Sequence, residues 1–495
     1  MAHQVNPDAA DADNGAAPWT GQLPQVAGSF ALDKTSLDGA AHDFGLIARA
    51  RPAAVLRPAS SKDIAETIRF ARHHRLTVAA RGTAHSAGGQ VLVAGGVVVA
   101  MRSLARIGAI NLAERWIEVE AGALWSEVLA ETLVHGLRPP VIPDWLEMTV
   151  GGTLSFGGIG AESFRAGTQT DQVLELEVVT GTGETLSCSP ARNSALFHAV
   201  RAGLGQFGII TRARLALVPA PAQVVLHTVL YTDLFGFLKD LDQLTADPRV
   251  DGLRAHFIPN DPQVLGRMFS AERCAGAERS LAAAGRWLPR LEITSYGEPP
   301  QTQATAVGPL SCLSDLSQRT VLPYREYASR VPPIMLREQQ QGPLPHPEVA
   351  LFVPGDAAPQ FLAQTLAGLD PVDVGGALLL VPLLRAVIST PAFRCPPGER
   401  FLLFTVLRCA LPASADNCER LIRQNAAIAE QGRRLSATRY AADSLTSLAG
   451  AAAWREHFGA AWAELAAAKQ RFDPDNLLAP GLQIFPRPAL DLQKA

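Results

Sequence analysis

The sequence predicts a two-domain protein of the α+β class. The chain has 495 residues, which is too many for one hydrophobic core. Short apolar strands alternate with amphipathic helices up to about residue 218, whereas residues 224–435 combine bulky strands with long helices and are less rich in glycine. Between these regions, residues 219–223 (PAPAQ) carry two prolines, which disfavour both a helix and a central strand. We therefore expect a domain boundary there.

In the first region, each element follows from its hydrophobic period and its flanking residues. A helix is expected to begin after Ser60, with Asp63 as its capping-box partner and Ile64, Ile68 and Ala71 on one face. A second helix is predicted at 125–134, ending at Gly136, and a third at 193–202. Strands are predicted at 53–56, 76–80, 97–101, 116–120, 173–180 and 207–218.

Composition and charge narrow the class of partner. The chain is 47% hydrophobic and 18% charged, with a net charge of -3 and no basic block, which argues against nucleic acid as the main partner. No apolar run reaches the ~18 residues that a membrane helix needs. The polar start lacks the pattern of a secretion signal, so we expect a cytoplasmic protein with a disordered tail over residues 1–27. The six cysteines show no CxxC pair, and we expect free thiols and no metal site.

One motif looks like a dinucleotide fingerprint but has the wrong context. Residues 203–208 (GLGQFG) match GxGxxG, yet a helix precedes them and a strand follows. A Rossmann-type site requires the reverse order. The pattern therefore favours a helix end followed by a tight turn, although the backbone here could still touch a cofactor.

Two glycine-rich segments remain, residues 81–90 (RGTAHSAGGQ) and 149–160 (TVGGTLSFGGIG). Glycines let backbone N–H groups approach an anion closely, and hydroxyl side chains add donors. The two segments could jointly hold a pyrophosphate, or both could be plain turns. His85 lies in the first segment, and a lone histidine is more often structural than functional.

Several segments, taken in order, resemble the cytokinin dehydrogenases among the FAD-linked oxidases of the vanillyl-alcohol oxidase type. They are RGTAHSAGGQ, TVGGTLSFGGIG, VLELEVVTGTGE, GLGQFGIITRARLALVPAP, HPEVALFVPG and FDPDNLLAPGLQIF, together with AHDFG near the start and WREHFG near the end. The resemblance covers roughly residues 28–487. It implies a PCMH-type FAD-binding domain at 28–219, completed by residues 437–495, and a second α+β domain at 220–436 with an antiparallel sheet covered by helices.

The resemblance also implies roles for individual residues. FAD would be linked covalently through His85. One departure is Ala84, where the family usually has glycine, and a positive φ there would strain the backbone. Further cofactor-binding residues implied by the resemblance are Arg81, Gly82, Thr83, Ala84, Ser86 and Gln90 in the first segment, Thr149, Gly151, Gly152, Thr153, Ser155 and Gly158 in the second, and Ile210 near the adenine.

Two carboxylates are candidate catalytic residues. Asp144 and Glu147 lie just before the second glycine-rich segment, and a carboxylate beside a flavin can accept a proton while the ring accepts a hydride. From the residues alone, a turn or cap role for Asp144 is the commoner outcome, but the resemblance places Asp144 at the position of the family's base. It places Glu292 where the family contacts the purine N–H, the alternative being an outward-facing strand residue.

The match weakens toward the substrate. Ile388 falls where the plant enzymes carry a tryptophan at the substrate entrance, and RYAAD (439–443) replaces the family's YLPHY. The resemblance implies oxidation of an N6-isoprenoid adenine through an imine to adenine and an aldehyde, with a quinone-like acceptor or oxygen taking the electrons, in a monomer or small homo-oligomer. An FAD-linked oxidase of another alcohol, sugar or amine and a non-catalytic flavin-binding protein are the alternatives.

Overall fold

A computed structural model describes residues 17–297, 309–330, 342–444 and 450–487, and it combines helices with four β-sheets. The strands are β1 (Ser29–Ala31), β2 (Ala54–Arg57), β3 (Val78–Arg81), β4 (Val97–Ala100), β5 (Ile107–Asn111), β6 (Trp116–Glu120), β7 (Leu137–Arg138), β8 (Val173–Val179), β9 (Thr185–Cys188), β10 (Ile209–Ala216), β11 (Val218–Pro219), β12 (Gln223–Leu230), β13 (Gly252–Pro259), β14 (Trp287–Tyr296), β15 (Gln318–Pro323), β16 (Val349–Pro354), β17 (Ala377–Leu384), β18 (Arg400–Leu407) and β19 (Thr438–Arg439).

The helices range from single turns to one of twenty residues. They are α1 (Lys34–Gly39), α2 (Ser61–His73), α3 (Trp125–Val134), α4 (Val150–Leu154), α5 (Ser163–Ala166), α6 (Ser194–Val200), α7 (Leu234–Ala246), α8 (Pro262–Gly266), α9 (Ala271–Gly276), α10 (Glu278–Ala283), α11 (Tyr324–Ala328), α12 (Ala358–Gly368), α13 (Pro371–Val374), α14 (Ala415–Arg434), α15 (Ala451–Phe458) and α16 (Trp462–Phe472). Within the described ranges, none of them is long and apolar enough to cross a membrane.

The first two sheets contain the strands that the hydrophobic period predicts. The first has the order β1-β2-β4-β3, with β2, β4 and β3 parallel. Helix α2 packs here through Ile64, Ile68 and Ala71, all fully buried. The second sheet is antiparallel, in the order β5-β6-β10-β8-β9. The strands predicted from the hydrophobic period are confirmed in both sheets, with bounds that differ by a few residues.

The GLGQFG segment is a turn, as its context predicted. Helix α6 ends at Val200, the backbone then turns with positive φ at Leu204 (55°) and Gly205 (72°), and β10 begins at Ile209. A strand, and not a helix, therefore follows the glycines, so this segment does not have the Rossmann arrangement.

Asp63 does not form the capping box that its spacing predicted. The Ser60 side chain makes no cap hydrogen bond. Instead the Asp63 carboxylate accepts the N–H groups of Ala27, Gly28 and Ala59, at 3.0, 2.9 and 2.7 Å. The reason is that a carboxylate at a helix start satisfies whichever free N–H groups lie nearest, and here a distant segment supplies two of them.

The same contact bears on the expected N-terminal tail. Residues 1–16 of that tail lie outside the described residues. Residues 17–27 are packed rather than disordered, since the Trp19 ring lies 5.9 Å from the Phe70 ring of α2 and Ala27 donates to Asp63.

The largest sheet has eight antiparallel strands in the order β15-β12-β14-β13-β17-β18-β16-β19. Because side chains alternate between faces of a strand, the residues of each strand divide into two sets. One face is apolar and packs beneath helices α7, α12 and α14, with Leu253, Leu378, Phe404 and Leu351 among its buried residues. The opposite face is turned toward the first two sheets. This arrangement agrees with the expected second domain of antiparallel strands covered by helices.

The C-terminal segment returns to the first sheet. Val78 of β3 donates to Leu477 O and accepts from Ala479 N, both at 2.9 Å. Asp473, fully buried, holds the turn before this contact by accepting the N–H groups of Leu477 and Leu478. Its carboxylate also pairs with Lys469 Nζ at 2.7 Å, and that side chain is 1% exposed.

Replacing Lys469 by methionine should strongly destabilise the protein. The change leaves the Asp473 carboxylate buried without its counterion, which typically costs about 3–5 kcal/mol. The exposed pair of Arg423 and Glu419 supplies the matched control, because losing an exposed ion pair costs about 0–1 kcal/mol. Denaturant unfolding should show that K469M loses several-fold more free energy of unfolding, relative to the wild type, than R423M does. Equal losses would contradict the role assigned to the buried pair.

Candidate active site

A cavity of about 380 Å³ lies between the glycine-rich segments and the eight-stranded sheet. One wall consists of the first glycine-rich segment (81–90) and the second (149–160). The opposite wall consists of side chains from β13, β17, β18 and β16. The turn at 204–210 and the C-terminal Leu478 and Ala479 close one end. All parts of the fold that the sequence singled out therefore meet at one place.

The first glycine-rich segment presents a row of free backbone donors to this cavity. The N–H groups of residues 82–86 make no hydrogen bond within the part of the chain that the structure describes. Consecutive unpaired N–H groups in a concave turn bind anions. The segment is thus built to receive acceptor atoms from a ligand.

The conformation of this segment is fixed by the neighbouring residues 43–45. Phe44 N donates to Ala84 O at 2.9 Å, and the Asp43 carboxylate accepts from Ser86 Oγ at 3.0 Å and from Gly89 N at 2.8 Å. Burial raises the pKa of Asp43, and the hydrogen bonds from Gly89 and Ser86 oppose that rise. The sequence had pointed to AHDFG only as part of the resemblance; the structure gives Asp43 a positioning role.

Close packing explains the glycines of the two segments. A Cβ atom on Gly82 would lie 2.1 Å from Thr149 Oγ1, and one on Gly151 would lie 2.7 Å from the Ala121 side chain. At Gly158 the backbone has φ of 71°, and a Cβ would lie 2.0 Å from Gln169 Oε1. The two segments therefore touch each other at Gly82 and Thr149, and a side chain at any of these three glycines would clash with the neighbouring residue.

These observations fit FAD. Its pyrophosphate requires several donors without competing side chains, which the free N–H groups of residues 82–86 supply. Its flat rings require an apolar slot, and the cavity wall is mainly apolar. Gly82, Thr83, Ser86 and the second glycine-rich segment are the residues that would hold it.

His85 lies in the cavity wall with its ring against Phe44, at 4.2 Å between centroids. Phe44 in turn stacks on His346 at 4.0 Å. Burial, and next the neighbouring His346, lower the pKa of His85 to about 4. The imidazole is therefore neutral near pH 7, and a neutral ring nitrogen has the lone pair that a nucleophile or hydrogen-bond acceptor needs.

Asp144 also lines the cavity, and an arginine bridge joins it to Glu292. Arg254 Nη1 lies 2.5 Å from Asp144 Oδ1, and Arg254 Nη2 lies 2.7 Å from Glu292 Oε2. Burial opposes the charge on Arg254, but the two carboxylates raise its pKa well above the usual value. Burial likewise opposes the charge on Glu292, whereas Arg254, Arg290 and Arg330 hold its pKa well below the usual range. Both carboxylates are thus tied to one guanidinium.

The structure brings most of the expected site residues together. Those that line the cavity are Gly82, Thr83, Ala84, His85, Ser86, Gln90, Asp144, Thr149, Gly151, Gly152, Thr153, Ser155, Gly158 and Ile210.

Three others lie outside the lining. The Arg81 guanidinium donates to the carbonyls of His42 and Gly39 at 2.6 and 3.1 Å. Glu292 does not line the cavity; it lies behind Arg254, with which it forms an ion pair. Ile388 is 4% exposed and packs in the core near Arg385, whose guanidinium donates to the Ile388 carbonyl. It does not line the cavity, although its position in the sequence matches that of the entrance tryptophan in the plant enzymes.

Sequence reasoning missed the residues of the large sheet. Arg254 and His256 alternate with Leu253, Ala255 and Phe257 along β13, a period that predicts a strand with one polar face. That face meets the cavity instead of solvent, and only the pairing of β13 between β14 and β17 determines this. Glu348 directly before β16 and Tyr440 directly after β19 also line the cavity, and their position likewise depends on how the strands pair.

The Ala84 backbone has the positive φ, 57°, that its glycine-like position suggested. An L-residue in this region costs roughly 1–2 kcal/mol, so Ala84→Gly should stabilise the protein by about 0.5–1 kcal/mol after the larger unfolded-state entropy of glycine is subtracted.

Ala87 provides the matched control, because it lies in the same segment, is equally buried and has no positive φ. Ala87→Gly should lose about 0.5–1 kcal/mol. Thermal or urea unfolding of both variants should give opposite signs, and a destabilised A84G would contradict the strain assigned to Ala84.

Comparison with known proteins agrees with this geometry. Residues 52–189 match a family model described as an FAD binding domain, and residues 221–485 match one described as cytokinin dehydrogenase 1, FAD and cytokinin binding. Cytokinin dehydrogenase 4 of Oryza sativa subsp. japonica is 35% identical, over 94% of this chain and 91% of its own length. An uncharacterized oxidoreductase, ORF5 in the fasciation locus of Rhodococcoides fascians, is 33% identical over 93% and 99%.

A solved structure supports the fold. The 6-hydroxy-D-nicotine oxidase of Arthrobacter nicotinovorans superposes with a TM-score of 0.66 over 92% of this chain and 96% of its own, at 20% identity. The fold, the paired glycine-rich segments and the relatives agree: the chain belongs to the cytokinin dehydrogenase family and is an FAD-dependent oxidoreductase.

Proposed function

We propose that this protein oxidises a cytokinin, an adenine that carries an isoprenoid group on its N6 amine, to adenine and an aldehyde. The observation that carries the proposal is the position of Asp144. Its carboxylate lies in the wall of the cavity that fits FAD, with Oδ1 held by Arg254. Oδ2 has no partner in the described chain and is available to a substrate N–H.

Asp144 acts in this proposal as the proton acceptor. Carboxylates serve as general bases when they lie within hydrogen-bond reach of the proton to be removed. FAD, when bound, supplies the two-electron acceptor for the hydride of the carbon next to the nitrogen. The substrate's N–H proton passes to Asp144 as the C–H bond breaks, which leaves a C=N bond in the substrate. Water then adds to this imine, and the C–N bond breaks to give the aldehyde and the free amine of adenine.

The rest of the cavity wall is suited to bind an isoprenoid group. Leu379 and Val381 of β17 and Leu403 and Leu407 of β18 face the cavity. They lie together because partner residues on adjacent strands share a face, and the surface that they form is apolar except for Thr405 between Leu403 and Leu407. Such a surface favours a branched hydrocarbon over a sugar, whose hydroxyl groups would lack partners there.

We propose further that His85 forms the covalent link to the flavin. Three features support this: the ring lines the cavity, it is neutral near pH 7, and Phe44 restricts its orientation by stacking. The electrons then pass to a quinone-like acceptor or to oxygen.

The base assignment is tested by Asp144→Asn. Removing the general base should lower the rate of flavin reduction by isopentenyladenine about 100- to 10,000-fold, measured by anaerobic rapid mixing as loss of flavin absorbance. Glu147→Gln is the matched control, since Glu147 belongs to the same segment but not to the cavity wall, and its rate should stay near that of the wild type.

A D144N enzyme with wild-type rates would refute the base assignment. Flavin that is bleached by an alcohol or another amine, but not by isopentenyladenine, would instead point to a different substrate on the same fold.

The covalent link is tested by denaturing the purified protein in acid. Yellow colour should stay with the polypeptide in the wild type and in His42→Ala, whose exposed histidine lies in a neighbouring segment. In His85→Ala the colour should separate from the polypeptide on gel filtration. Release of the flavin from the wild-type chain would contradict the proposal.

A further inference from the structure

His256 is the one histidine on the cavity-facing side of β13. In the sheet it lies opposite Arg290 of β14 and Leu379 of β17. It therefore stands at the border between two parts of the cavity wall. On one side lies Asp144, with the charged residues Arg254, Arg290 and Glu292 behind it outside the lining, and on the other side lies the apolar surface that begins at Leu379.

The imidazole of His256 has an unused hydrogen-bonding group. Its Nδ1 atom is buried, and no partner for it exists in the described part of the chain. A buried polar atom without a partner is costly, and such atoms in native proteins call for a specific explanation. The ring lines the cavity. Its Nε2 atom also has no hydrogen-bond partner among the described residues and, unlike Nδ1, is not fully buried, so Nε2 is the atom that a ligand in the cavity can reach.

The surroundings also fix the charge of the ring. Burial and then the nearby Arg254 lower the pKa of His256 to about 4, against the smaller opposing effect of Glu292. A neutral imidazole has one donor and one acceptor nitrogen. It can therefore pair with a heteroatom of an uncharged ring without introducing another charge beside Arg254.

The spacing along β13 suggests which part of the substrate it meets. Arg254, which holds Asp144, and His256 are two residues apart, or roughly 7 Å along a strand. If the reacting N–H lies at Asp144, the ring attached to that nitrogen extends a comparable distance along the sheet. The polar neighbours of His256 lie on the Asp144 side, whereas the hydrocarbon group has the apolar wall.

We propose that His256 is a specificity-determining residue whose imidazole forms a hydrogen bond with a ring nitrogen of the substrate heterocycle. This inference rests on the proposed function, because it assumes that the reacting amine is attached to a nitrogen heterocycle. His256 contributes to binding and discrimination, while Asp144 performs the proton transfer.

The test uses the holoenzyme with isopentenyladenine and its 1-deaza, 3-deaza and 7-deaza analogues. His256→Leu should raise KM for isopentenyladenine roughly ten-fold or more and leave kcat within about three-fold, since Asp144 is retained. His256→Gln, which keeps a donor and an acceptor, should recover most of the KM. For the deaza analogue that lacks the contacted nitrogen, the wild type and H256L should have the same KM.

His227→Leu is the matched control. His227 is a half-buried histidine of β12 in the same sheet, and its partner Ile293 lies on the helix-covered face, so this variant should leave KM unchanged.

The outcomes separate the two proposals. If the wild type does not reduce its flavin with isopentenyladenine, the proposed function fails and this inference fails with it. If the wild type does so and H256L has the same KM, the role of His256 alone is overturned. If H256L does not fold, the wild-type enzyme alone tests the inference. Wild-type KM values for all three deaza analogues within two-fold of the KM for isopentenyladenine would overturn it.

Discussion

The bridge from Asp144 through Arg254 to Glu292 is the interaction on which the site depends. Asp144 precedes the second glycine-rich segment in the first domain, whereas Arg254 and Glu292 belong to adjacent strands of the large sheet. The guanidinium therefore fixes the candidate base and at the same time holds the large sheet over the cavity. Buried charges persist only when each is paired with good geometry. Here Glu292 pairs with Arg254, Arg290 and Arg330, and Arg254 also pairs with Asp144.

Because side chains alternate between the two faces of a strand, one face of the large sheet gives the site both a charged region and an apolar region. A single face of the eight-stranded sheet carries Arg254 and Glu292 toward β14, His256 in the middle, and Leu379 and Leu403 toward β18. The same alternation puts Leu253 and Leu378 under the helices. One sheet thus combines a charged region, an apolar region, and a core that keeps both in register; in the proposed function these regions receive the reacting amine and the hydrocarbon group.

Sequence reasoning succeeded where the determining interactions are local. The apolar period of Ile64, Ile68 and Ala71 placed α2, and the glycine pattern located both segments of the cavity wall. The resemblance then placed Asp144 and His85, and both face the cavity. Sequence reasoning was less successful where contacts between distant segments determine the position of a side chain. Asp63 accepts the N–H groups of the distant residues 27–28 as well as that of Ala59 beside its own helix start, and Ile388 packs in the core away from the cavity. The polar face of β13 could be read from the sequence, but the surface that it covers depends on the register with β14 and β17.

The flavin side and the substrate side of the cavity are built by different means. Backbone N–H groups, held by Asp43 and spaced by glycine, form the flavin side, and side chains of the large sheet form the other. In the proposed function, this combination oxidises a secondary amine to an imine that water cleaves. Its most direct test is product analysis after one anaerobic turnover with isopentenyladenine. We expect one equivalent each of adenine and of the five-carbon aldehyde for each flavin reduced. Reduced flavin without release of adenine would contradict it.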